Sequence, residues 1–95
     1  MKQYRSKPVI IQAMQFNAYD DDVLREIDRW VRNATELLPI KAVKEKIKRY
    51  GGYPVPLKQG SIRVKHGEYI IKDKFNYFIV MSQEDFERIY EEVDE

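Results

Sequence analysis

Hydrophobic positions run through the chain in two periods. From Lys7 to Phe16, Val9, Ile10 and Ile11 are followed by Ala13, Met14 and Phe16, with Pro8 at the entry. This predicts a central strand, because a missing N–H is best tolerated at a strand's first residue. Asp20, Asp21 and Asp22 then place carboxylates where a helix start needs a cap and negative charge. Val23, Leu24, Ile27, Trp30 and Val31 follow at helical spacing, with Arg25, Glu26, Arg29 and Arg32 on the other side, and predict an amphipathic helix ending near Asn33.

The segment from Thr35 to Tyr50 fits two patterns. Ile40, Val43, Ile47 and Tyr50 form a helical stripe with Pro39 at its start and Gly51 and Gly52 at its stop. Val43, Glu45 and Ile47 against Lys44, Lys46 and Lys48 equally describe a strand, so the period leaves this segment open. The alternate prolines of Tyr53 to Leu57 confine any strand there to a sheet edge. Ser61 to Lys65, Glu68 to Lys72 and Tyr77 to Met81 read as antiparallel strands of a meander. Ser82 to Asp85 forms a capping box for a last helix whose buried stripe is Phe86, Ile89, Tyr90 and Val93.

Together these elements predict a single α+β domain over residues 1–95. An antiparallel sheet of about four to five strands, made by the first strand and the meander, carries two or three helices packed on one face. The expected core includes Val9, Leu24, Ile27, Trp30, Val31, Ile62, Val64, Phe86, Ile89 and Tyr90.

Composition narrows the chemistry. The chain has no cysteine, which removes disulfides, thiolate nucleophiles and thiolate metal sites. No run approaches the roughly 18 apolar residues of a membrane span, and the basic N-terminus has no signal-peptide core, so a cytoplasmic location is expected. The net charge of +1 conceals a block pattern: residues 41–81 carry ten basic and three acidic side chains, residues 82–95 one and seven. Oligomerisation is left open.

The only histidine, His66, sits beside Gly67 and reads as a turn residue, since one imidazole with scattered carboxylates lacks metal-ligand spacing. No nucleophile elbow, phosphate loop or zinc-protease motif is present, so no catalytic residue, metal site or cofactor is assigned and the chain is expected not to be an enzyme. The candidate site is the basic segment: Lys41, Lys44, Lys46, Lys48 and Arg49, with Tyr50 and Tyr53 close in sequence. Cations interleaved with aromatics suit phosphate neutralisation and base stacking, whereas the plain reading is the solvated side of a short helix.

The opening YRSKPVIIQAMQF and the closing HGEYIIKDKFNYFIVMSQEDFERIYEEV resemble a family of small proteins encoded by bacteriophages and prophages. The matching residues are Tyr4, Arg5, Lys7, Pro8, Ala13, Gln15 and Phe16, then Gly67 to Lys72, Phe78, Phe86, Glu87, Tyr90 and Glu91. Where the family has Cys-Lys-Pro before its last helix, this chain has Met81, Ser82 and Gln83. The resemblance implies phage origin and an α+β fold, and brings no activity with it. Two functions are carried forward: a phage accessory protein that binds a protein partner, such as a host or defence component, or a counter-defence binder of an anionic nucleotide or nucleic acid through residues 41–49.

Overall fold

The apolar run of the first strand folds against its own N-terminal neighbour. In the computed structural model, which describes residues 2–6 and 9–92, β1 (Lys2–Ser6) pairs antiparallel with β2 (Val9–Gln15), Lys2 opposite Ala13 and Ser6 opposite Val9. β2 pairs on its other side with β5 (Tyr69–Lys72), which pairs with β6 (Phe78–Met81). β7 (Glu91–Glu92) joins β1, giving a five-stranded sheet in the order β6-β5-β2-β1-β7 with β2 at its centre. The expectations for Pro8 and Val93, and for the side chain of Val9, lie outside the described residues.

Three helices complete an α+β fold. α1 (Asp21–Val31) begins where Asp20 Oδ1 accepts the N–H groups of Asp22 and Val23, as the acidic cluster predicts. α2 (Ile40–Tyr50) settles the open segment as helix, stopped at Gly51 with φ 70°. α3 (Gln83–Ile89) is capped by Ser82 Oγ, which accepts the Asp85 N–H at 3.1 Å. Among the described residues no helix is long and apolar enough to cross a membrane.

Two details differ from the sequence reading. β3 (Tyr53–Pro56) and β4 (Ser61–Val64) do not join a meander but pair with each other as a separate two-stranded sheet. Tyr53, Val55 and Val64 are buried in the α1–α2 core, so the hairpin packs against that layer through side chains while β5 takes its hydrogen bonds from β2. α1 and α2 cover one face as expected, whereas α3 covers the other. Successive β5 residues point to opposite faces: Ile70 belongs with Phe16, Leu24, Ile27 and Trp30, while Tyr69 and Ile71 belong with Ile11, Ala13 and Phe86. That second apolar face needs a cover, and α3 supplies it.

Ile62 and Ile89 were expected in the core and are exposed instead, at 40% and 48%. Ile62 shares the face of its partner Val55 and of Val64 but lies nearer the hairpin's turn, where it borders open space, and α3 ends at Ile89, too short to bury a second turn. Gly52 fixes how α2 enters β3. Its φ is 151°, and an added Cβ would lie 3.1 Å from the Val64 carbonyl oxygen, which is backbone and cannot swing away. Gly52→Ala is expected to cost more than about 1 kcal/mol, read as a lower thermal midpoint.

Candidate functional site

Asp28 occupies the apolar stripe of α1, four residues after Leu24 and three before Val31, and is fully buried at 0% exposure. A carboxylate can sit there only if it is paired and hydrogen-bonded. Tyr53 Oη donates to Oδ1 at 2.6 Å, Lys46 Nζ donates to the same oxygen at 2.9 Å, and Arg32 Nε donates to Oδ2 at 2.7 Å. Burial pushes the Asp28 carboxyl up, but the bonds from Tyr53, Lys46 and Arg32 together outweigh it and hold the group below its ordinary value. Burial first, then the Asp28 carboxylate, raises the Tyr53 phenol. The cluster links α1, α2 and β3, and both carboxylate oxygens already have donors.

This divides the basic segment. Lys46 and Tyr53 are turned inward onto Asp28, with the Lys46 ammonium 5.3 Å from the centre of the Tyr53 ring. Lys44 pairs with Asp21 at 3.1 Å on the surface. Lys41, Lys48, Arg49 and Tyr50 are exposed. Among the described residues Lys41, Lys48 and Arg49 form no ion pair. Past Gly51, a polar depression of about 470 Å³ is bounded by Gly51, Ser61, Ile62, Arg63 and Lys65.

Lys46 therefore does not lie off the buried face, and a charge reversal across the whole segment would not spare the fold. Lys46→Glu sets a second carboxylate against a buried one and is expected to cost about 3 kcal/mol or more, whereas Lys48→Glu should stay within about 0.5 kcal/mol. Parallel thermal melts of the two variants check this.

A second feature went unnoticed in the sequence. A groove of about 460 Å³ runs between β6 and the β3–β4 hairpin, lined by Leu57, Lys58, Gln59 and Ile62 on one side and Phe78, Ile79 and Val80 on the other. Phe78 and Val80 lean on the α1–α2 core, with Phe78 edge-on to Trp30 at 5.4 Å. Ile62 and Ile79 remain 40% and 44% exposed, and Tyr77 and Phe75, in the turn before β6, are 44% and 66% exposed. The signal available in sequence was the uncharged run Phe78-Ile-Val-Met, but nothing local says that β6 ends the sheet.

His66 is a turn residue: its Nδ1 accepts the Ala18 N–H at 3.1 Å, and its ring meets Tyr19 at 4.8 Å. Among the described residues no group of three or more histidine and acidic side chains is placed to hold a metal ion. No family model, curated protein or solved structure matches the chain.

Proposed function

We propose that this chain is a small, non-enzymatic accessory protein that works in the cytoplasm by binding a protein partner on the β6 side. The observation that carries this reading is the exposure of Ile62 and Ile79 on the two walls of one groove, with Phe75 and Tyr77 exposed in the turn that leads into β6. Contiguous apolar surface of this kind, rimmed by polar residues, is typical of interaction sites. The buried polar cluster supports the same reading, since Asp28 and Tyr53 are spent on each other and on holding helices together. With the phage-family resemblance, the partner proposed is a host or defence component.

The test immobilises the full chain in bacterial lysate and compares three proteins at matched fold: wild type, Ile79→Glu, and Lys41→Ala with Lys48→Ala and Arg49→Ala. A partner kept by the wild type and the helix variant but lost by Ile79→Glu supports the reading. Equal retention by all three, or turnover of a substrate by the purified protein, contradicts it.

One observation favours a second reading, anion binding. Arg63 and Lys65 bound the polar depression and form no ion pair among the described residues, and Lys48 and Arg49 precede it in sequence. It ranks second because the depression adjoins the C-terminus of α2, whose carbonyl end repels anions. Nucleotide or nucleic-acid binding that weakens with salt and is abolished by Arg63→Glu would raise it to first place.

A further inference from the structure

β6 ends the sheet without the usual guards. β3 carries Pro54 and Pro56, whereas β6 reads Phe78-Ile79-Val80-Met81, with neither proline nor charge. Its hairpin with β5 closes with the Asp73 N–H donating to the Tyr77 carbonyl at 2.9 Å. Antiparallel alternation then turns the backbone groups of Tyr77, Ile79 and Met81 toward β5 and those of Phe78 and Val80 outward. Among the described residues no other segment bonds to those outward groups. They open beside the groove, with Leu57 and Ile62 on its far wall.

The charge around the groove has one dominant sign. Lys58 lies 5.4 Å from the Tyr77 ring centre, Lys72 5.8 Å from that of Phe78 and Lys74 5.2 Å from that of Phe75. Among the described residues none of these lysines forms an ion pair. The neighbouring acid, Asp73, uses Oδ1 to accept the N–H groups of Phe75 and Tyr77.

We infer that the partner presents an extended acidic segment that adds to the sheet as a strand along β6, placing alternate apolar side chains in the groove and carboxylates against Lys58, Lys72 and Lys74. This rests on the protein-binding reading above and names its partner chemistry. An incoming helix would leave the outward N–H and C=O groups of Phe78 and Val80 unpaired, whereas a strand satisfies them. A second copy of the chain fits less well. Its own β6 has no carboxylate, and the acids that follow, Glu84 and Asp85, already face Arg88 at 3.3 and 3.7 Å.

The experiment pans a random dodecapeptide library on the immobilised full chain and measures the enriched peptides by fluorescence anisotropy. Peptides alternating acidic with β-branched or aromatic residues are expected, with affinity that falls as salt rises. Methylating two alternate backbone nitrogens of such a peptide should weaken it about tenfold or more, because the outward carbonyls lose their donors while the protein is untouched. Lys58→Glu with Lys74→Glu should abolish binding with the fold intact. Enrichment of nothing, or of basic, proline-rich or helical sequences, overturns the inference, as does indifference to N-methylation or a dimer in sedimentation that buries β6. If any of these occurs while the lysate partner is still lost in Ile79→Glu, strand addition fails and the binding surface stands. If no partner depends on Ile79, the reading beneath it fails as well.

Discussion

Asp28→Ala is expected to cost about 3 kcal/mol or more, lowering the thermal midpoint by roughly 10 °C or more in a chain of this size. The substitution leaves the Tyr53 hydroxyl buried without its acceptor and frees Lys46 and Arg32, so α1, α2 and β3 lose their common tie. Asp28→Leu combined with Tyr53→Phe should recover part of the loss, since replacing both partners by apolar groups removes the unpaired hydroxyl. The same cluster sets the acid response. Because the Asp28 carboxyl titrates below its ordinary value of 3.8 in the folded chain, its contribution is complete above 3.8 and disappears as the pH falls through the lower native value. The Tyr53 phenol is shifted the other way. Its contribution is complete below its ordinary value of 10.0 and is lost as the pH rises past it toward the higher native value. Denaturant midpoints measured across pH should therefore fall at both ends for the wild type and flatten at the acid end for Asp28→Asn.

Phe86→Ala is expected to cost about 3 to 5 kcal/mol and to release α3 from the sheet. Phe86 is the one buried residue of this seven-residue helix. Its ring stacks on Tyr69 at 3.8 Å between centroids and 4° between planes, and Tyr90 adds a further contact at 5.1 Å. Without it the Tyr69 and Ile71 face of the sheet is opened to water. Amide exchange in residues 83–90 should then quicken far more than in α1, with a thermal midpoint lowered for the whole chain.

The parts of this fold that were legible in sequence are those set by neighbours in the chain. Asp20, Gly51 and Ser82 cap or stop helices through bonds spanning a few residues, and the stripe Leu24, Ile27, Trp30 and Val31 follows from helix geometry alone. Alternating prolines correctly exclude β3 from a sheet interior. Pairing between distant strands was not legible: period 2 says which residues share a face and not which strand lies alongside, so β1 was missed and the β3–β4 hairpin was read into the main sheet. Exposure of Ile62 and Ile79 follows from that same choice of partners. Asp28 did leave a trace, as a charge at i+4 from Leu24 inside an apolar stripe and at i−4 from Arg32. Lys46 lies three residues after buried Val43, close enough to the buried face to reach Asp28, although the flanking lysines make it look like surface. The candidate site read from sequence therefore mixes two structural residues, Lys46 and Tyr53, with exposed side chains.

Partners are expected to bind beside β6 and not along α2. A photoreactive phenylalanine analogue placed at position 79 in one protein and at position 48 in another, irradiated in bacterial lysate, separates the two surfaces directly. Both positions are exposed, so neither substitution should disturb the core. Crosslinking of a distinct protein band from position 79 and not from position 48 is the result expected. Crosslinks from position 48 alone, or to nucleic acid in place of protein, would contradict it.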